Sequence, residues 1–143
     1  MSSPSMRRSD RAMTEVRILQ TVEQAYSGRL ATVSEDGFPY CVPLLYVWMD
    51  GELYLHTTSV RGHLRSNIDR DPRVCFEIDE QQGVFDYGRF ECDSGLAFRS
   101  VCLFGRIIGI AVWMTLLQIR FPLSGHLRHR DTKRQIEQAI TTY

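Results

Sequence analysis

The chain lacks a charge imbalance, with 17 Lys+Arg against 17 Asp+Glu in 143 residues. A neutral chain has no broad basic face with which to displace counterions, so a non-specific nucleic-acid binder is not expected. An acidic solvating protein is excluded by the same balance. Long apolar runs are also missing. The longest, Ile107 to Leu117, has 11 residues, well short of the roughly 20 that cross a bilayer. The N-terminal MSSPSMRRSDR has basic residues but no apolar stretch behind them, so no signal peptide is expected. These absences predict a soluble, cytoplasmic chain without a membrane partner. Cysteine is sparse: Cys41, Cys75, Cys92 and Cys102 form no C-x-x-C pair. Cys41, Cys75 and Cys102 lie in apolar, strand-like runs and are expected to be free core thiols. There is no P-loop, no dinucleotide fingerprint and no Ser-His-Asp arrangement. His126 and His129 have a helical metal spacing, but nothing near them supplies two further ligands. They read as surface histidines, with no metal.

What is present is ordinary for a globular protein: 43% hydrophobic and 24% charged residues. The length allows one domain with a core. Residues 1–10 are polar and read as a flexible segment, leaving 11–143 as a single domain. A helix is expected from Thr14, as N-cap, to about Ser27. Val16, Leu19, Val22 and Tyr26 form its apolar stripe, and Gly28 stops it.

The period then changes to two. Leu30–Ser34 reads as a strand, Glu35-Asp36-Gly37 as a hairpin turn and Phe38–Met49 as a long second strand. Pro39 and Pro43 argue that this strand has an edge or a bulge. Asp50-Gly51 is a second turn, and Glu52–Thr57 a third strand. Arg61–Asp69 reads as a short helix and Arg73–Ile78 as a fourth strand, with Val74, Phe76 and Ile78 on one side. Glu80–Gly95 reads as a long loop and Leu96–Val112 as strand again. Trp113–Ile119 is compatible with a helix, and Asp131 with the cap of a last one. The order points to an antiparallel barrel with helices at its openings.

ELYLHTTSVRGHLRSNI, from Glu52 to Ile68, carries the main chemical signal. A strand breaks into hydroxyls, glycine and basic residues just before a helix. Thr58 and Ser59 offer O–H donors, and Gly62 allows close backbone approach. The first N–H groups of the helix favour an anion. Arg61 and Arg65 can make bidentate contacts to it. The plainer alternative is a Ser59 cap with solvated arginines. An imidazole such as that of His56 is chemically suited to donate a proton; the plainer alternative for His56 is a half-buried strand histidine. Trp48, Phe76 and Phe104 read as core or interface aromatics, with stacking on a planar ligand a lesser option for Trp48.

Five segments in order, MRRSDR, GRLATVSEDGFPYCVPLLYVW, DGELYLHTTSVRGHLRSNI, DPRVCFEID and FRSVCLFGRI, resemble the pyridoxamine 5′-phosphate oxidase-like FMN-binding split barrels. Within them the nitroimidazole-resistance branch is the most similar. The resemblance spans about Met6 to Ile107. It implies a mainly β fold, a six-stranded antiparallel split β-barrel with short helices. It also implies a homodimer with FMN in a groove at the subunit interface, and two-electron chemistry on a small molecule.

By that resemblance Pro43, Leu44 and Leu45 run beside the flavin ring. His56, Thr57, Thr58 and Ser59 meet the ring and the ribityl-phosphate. Gly62, His63 and Leu64 match a G-H-K turn, with Leu64 in the lysine's place and Arg61 and Arg65 as replacement cations. Ser100 matches the serine of a Y-x-S-V strand that approaches the cofactor from the dimer side; here Phe98 stands for the tyrosine. Val101, Leu103 and Phe104 are expected to face the partner. The implied function is an FMN-dependent oxidoreductase, with His56 catalytic, that passes electrons from NAD(P)H to small aromatic or nitro-type compounds. The alternative is a non-catalytic carrier or sensor of FMN, a deazaflavin or haem, with His56 or His63 as an axial ligand in the last case. The substrate-phosphate arginine signature of pyridoxamine phosphate oxidase itself is not found near the C-terminus.

Overall fold

The computed structural model describes residues 6–58, 60–90, 92–111 and 116–120. The expectations for His126, His129 and a helix capped by Asp131 lie outside these residues. A 3-10 turn, Ser9–Arg11, falls partly within the segment expected to be flexible. Helix α1 runs over Glu15–Gln24, and the Thr14 hydroxyl accepts from the Arg17 N–H at 3.4 Å, as a cap should. Its inward stripe keeps Val22 and, in part, Leu19 of the four expected residues, and loses the other two. Val16 and Tyr26 are exposed, whereas Ile18, Thr21, Val22 and Ala25 face the sheet. Spacings of three and four residues run through both stripes, and only packing against the sheet selects between them.

Six strands follow: β1 Ser27–Val33, β2 Pro39–Met49, β3 Glu52–His56, β4 Arg73–Asp86, β5 Ser94–Ala111 and β6 Leu116–Arg120. Helix α2, His63–Arg70, lies between β3 and β4. All pairings are antiparallel, in the spatial order β1-β2-β3-β6-β5-β4. β1 also pairs with β4 over Arg29–Ala31, so the ends of that order meet and the sheet curls on itself. The fold is mainly β, with short flanking helices.

The turns follow their residues. Asp50 and Gly51 both have positive φ, 53° and 77°, as a two-residue hairpin connection requires. Pro39 and Pro43 lie in the half of β2 that pairs with β1 alone, because β3 engages only Tyr46–Met49. The expected edge is therefore there, since proline has no N–H for a second neighbour.

Leu30, Leu53, Leu55, Phe76, Ile78 and Ile119 are fully buried and fill the interior. Phe76 meets Tyr46 edge-on at 5.3 Å between ring centroids. The Tyr46 hydroxyl donates to the Val22 carbonyl at 2.5 Å, which ties α1 to the sheet. Burial holds that phenol above its ordinary pKa.

Several expectations change. Gly28 does not stop α1. The helix ends at Gln24, and Gly28 is a buried strand residue. A Cβ there would lie 2.5 Å from both the Glu77 carbonyl oxygen and Phe76 Cε1, so close packing demands the glycine. The expected loop Glu80–Gly95 is largely strand. β4 continues to Asp86 and pairs with Ser94–Arg99, with a bulge between Gln81 and Gly83. Residues 81–90 are exposed, so no alternation marks this arm in the sequence; the ladder alone makes it strand. The apolar stretch expected as helix contributes β6 instead, at Leu116–Arg120.

Val101 and Leu103 do not face outward, being buried in the chain's own core, whereas Phe104 is 39% exposed. The cysteines are free but not core residues. Cys41, Cys92 and Cys102 are exposed and Cys75 is partly buried. Burial and the adjacent Cys102 thiol push the Cys75 thiol up to about 11.

Gly28→Ala tests the packing of β1 on β4. We expect a loss of about 1–3 kcal/mol in urea unfolding, the range for forcing atoms into a full core. Unchanged stability means the Phe76 ring moves aside freely.

Candidate cofactor site at the β3–α2 connection

α2 fixes where the chain goes after β3. Ile68 is buried beneath the helix, and Leu64 packs against the same core. Asn67 Nδ2 donates to Thr32 Oγ1 at 3.1 Å, and that hydroxyl donates to the Tyr40 carbonyl at 3.4 Å. Arg70 donates to the carbonyls of Val33 and Ser34, the second at 2.7 Å. The helix is thus held from below and at its C-terminal end. At its N-terminal end the N-cap Gly62 makes no side-chain cap hydrogen bond, and no described side chain caps the first-turn N–H groups. Uncapped N–H groups at such an end suit an anion.

The expected residues fall into three groups. In the connection, His56 is the exposed last residue of β3, Thr57 is partly buried and Thr58 is exposed. Thr57 Oγ1 donates to the Thr58 carbonyl at 3.3 Å. Ser59 lies outside the described residues. Arg61, Gly62 and His63 are exposed at the start of α2. The His63 ring lies 6.0 Å from Tyr40 on β2, which ties the helix start to the half of that strand with one neighbour.

On β2, Pro43 and Leu45 point outward and Leu44 inward against the core. Leu44 therefore supports the segment rather than presenting a surface. Leu64 also packs inward, which explains how leucine sits where the family turn has lysine.

Ser100 belongs to a third group. Its hydroxyl donates to Glu77 Oε1 at 2.8 Å. Glu77 also receives Arg29 at 2.8 Å, and Arg29 pairs in addition with Asp79. This outward band crosses β1, β4 and β5, and Pro43 lies beside Arg29 in the ladder. The two carboxylates hold the Arg29 guanidinium more basic than usual. Hydrogen bonds from Gln81 and Arg29 hold Asp79 below the ordinary carboxylate value. The band was missed in the sequence, although Glu77 and Asp79 alternate with Phe76 and Ile78.

Asp69 was missed too. It accepts from Arg65 Nε at 2.9 Å and pairs with Arg61 Nη2 at 2.8 Å. The Arg65–Asp69 spacing of four residues was the available signal.

A separate groove of about 350 Å³ lies over β1, β4 and β5, lined by Val33, Pro39, Arg73, Cys75 and Phe104 among others. It contains none of the expected residues. Its charges, Asp71 and Arg73, pair with each other at 2.5 Å, and Arg73 holds Asp71 well below the carboxylate range. The connection is the better candidate for an anionic ligand, because hydroxyls, helix N–H groups and two arginines lie close together in its sequence, although both arginines are paired with Asp69. Among the described residues no cluster of three metal-ligating side chains occurs, and no helix is long and apolar enough to cross a membrane.

A family model described as pyridoxamine 5′-phosphate oxidase matches residues 14–111, which contain α1 through β5 and every candidate residue. The chain belongs to this family. A search of curated proteins gave no match. Among solved structures, a FAD- and haem-binding protein from Mycobacterium smegmatis is 18% identical with a TM-score of 0.66, covering 89% of this chain and 78% of its own. A putative 5-nitroimidazole antibiotic resistance protein from Bacteroides thetaiotaomicron is 14% identical with a TM-score of 0.62, covering 78% and 82%. A FAD-binding protein from Mesorhizobium loti is 20% identical with a TM-score of 0.58, covering 78% and 91%. At these identities the likeness establishes the fold.

The inward packing of Leu64 is open to a direct test. Leu64→Lys is expected to lower stability by about 1–2 kcal/mol, since the lysine stem can partly snorkel to solvent. A melting curve of the ligand-free chain reads this out. An unchanged melting temperature together with tighter phosphate binding contradicts the packing.

Proposed function

We propose that this member of the pyridoxamine 5′-phosphate oxidase family is an FMN-binding oxidoreductase, built as a six-stranded split barrel and working as a homodimer. The observation that carries the reading is the family match over residues 14–111, within which lies the arginine-flanked start of α2, whose N-cap is Gly62. The residue types there fit a phosphate monoester: hydroxyls at Thr57 and Thr58, helix N–H groups, and two guanidiniums within one connection. Pro43 and Leu45 present an apolar strip suited to one edge of a planar ring. The flavin, when bound, supplies the two-electron chemistry. The chain holds the phosphate, orients the ring and keeps a proton at the exposed His56 imidazole for the acceptor. Small aromatic or nitro-type compounds are the acceptor class, with NAD(P)H as donor.

Exposed apolar residues support the dimer. Val84, Phe85, Leu96 and Phe98 on the β4–β5 arm, with Phe104 and Ile108 farther along β5, are exposed apolar side chains among the described residues. A stable interface of this family's kind buries about 2,000 Å² or more. Light scattering at micromolar concentration is expected to give twice the chain mass, and a stable monomer contradicts the shared site.

The second reading is a carrier that binds a flavin or haem without turnover. It is favoured by the likeness to a protein described as binding both FAD and haem. An absorption spectrum of untagged protein with mass spectrometry of the released ligand separates the cofactors. Turnover with NAD(P)H separates enzyme from carrier. Arg61→Ala with Arg65→Ala is expected to weaken FMN by about 1–2 kcal/mol, the scale of charged hydrogen bonds discounted for solvent exposure. Riboflavin, without the phosphate, should be nearly unaffected. Equal losses for both ligands place the phosphate elsewhere.

A further inference from the structure

Asp69 occupies both arginines that the phosphate needs. Arg61 Nη2 lies 2.8 Å from Asp69 Oδ2 and Arg65 Nε 2.9 Å from Oδ1. Asp69 is the next-to-last residue of α2, and Arg61 precedes the helix. At about 1.5 Å of rise per residue, the carboxylate sits roughly 9 Å along the axis from the helix start. Arg61 therefore reaches along the helix, away from the N–H groups of the first turn. No lysine stands among the described residues. Leu64 packs against the core.

We propose that Asp69 is an internal competitor for the phosphate and sets the chain's selectivity between phosphorylated and unphosphorylated flavin. The inference rests on the FMN reading above and adds a determinant that opposes binding. A phosphate monoester carries about −1.5 to −2 at neutral pH, so it and the Asp69 carboxylate repel when they share the same guanidiniums. One must give way. The Asp69 pairs are cheap to release, because Arg61 is 67% exposed and Asp69 29% exposed. An exposed ion pair weights an equilibrium by roughly 1.5- to 5-fold, so two together give about 2- to 30-fold. That factor separates the wild-type affinity for FMN from what the two arginines would provide unopposed.

The test titrates full-length protein with FMN and with riboflavin by flavin fluorescence, for wild type, Asp69→Asn and Asp69→Glu. Asp69→Asn is expected to tighten FMN by about 2- to 30-fold and leave riboflavin unchanged. Asp69→Glu keeps the charge and should keep the wild-type ratio. The ratio of the two affinities cancels any general loss of folded protein. Should Asp69→Asn fold poorly by circular dichroism, Asp69→Ser removes the same charge and is read in the same way. An unchanged ratio in the neutral variants overturns the proposal. A ratio that falls also overturns it and makes Asp69 a residue that orients the arginines. If wild type binds neither flavin, the FMN reading itself fails, and this inference fails with it.

Discussion

Two buried hydrogen bonds tie the two described α-helices to the sheet. The Tyr46 hydroxyl holds the Val22 carbonyl of α1, and the Asn67 amide holds the Thr32 hydroxyl beneath α2. Both lie buried, the second continuing from the Thr32 hydroxyl to the Tyr40 carbonyl, and an unmade bond in such a place is costly. No buried side-chain nitrogen or oxygen among the described residues lacks a partner. Because α2 is pinned at Asn67 and again at Arg70, its other end is what remains to vary. That end carries Gly62, His63 and the two arginines. The candidate site is thus the free end of an element whose middle and far end are fixed.

The strands divide their chemistry by face. Val74, Phe76 and Ile78 on β4 point inward with Val101, Leu103 and Ile107 on β5. Cys75, Glu77 and Asp79 alternate with the first set and point outward, as the period of two requires. The interior is filled by Phe76, Leu30, Leu53, Leu55 and Ile119, which leaves recognition to the outer face. Arg29, Glu77, Asp79 and Ser100 form a bonded polar band on that face. The same alternation explains why cysteines in apolar-looking runs are not core thiols. Their neighbours in the sequence face inward, and they do not.

Much of this was legible in the sequence. The Thr14 cap, both tight turns and the inward side of β4 follow from local rules about hydroxyls, glycines and periods, and so does the presence of α2, which begins at His63 rather than the expected Arg61. What escaped depended on partners distant in the chain. The arm from Glu80 to Asp86 is exposed on both faces, so only its pairing with Ser94–Arg99 makes it strand. Gly28 resembles a helix stop, but its function is to admit Phe76 and the Glu77 carbonyl. Leu64 stood out as a departure from the family turn, while its inward packing appeared only when α2 was placed on the sheet. Asp69 was readable at helical spacing from Arg65, yet Arg61 reaching the same carboxylate was not, because that contact crosses the helix start.

The last constraint is the bare half of β2. From Pro39 to Leu45 this strand has β1 on one side and no paired strand on the other among the described residues. An open strand edge invites another strand, which risks unwanted association. Pro39 and Pro43 remove N–H donors from this stretch and make it a poor template. The Tyr40–His63 ring contact then brings α2 alongside without pairing. A fold that curls on itself thus keeps one short edge unpaired, blunts it with proline, and sets the N-terminal end of a helix beside it. Such an edge is a poor template for extending the sheet, and its outward side chains, Pro43 and Leu45, stay exposed beside the start of α2.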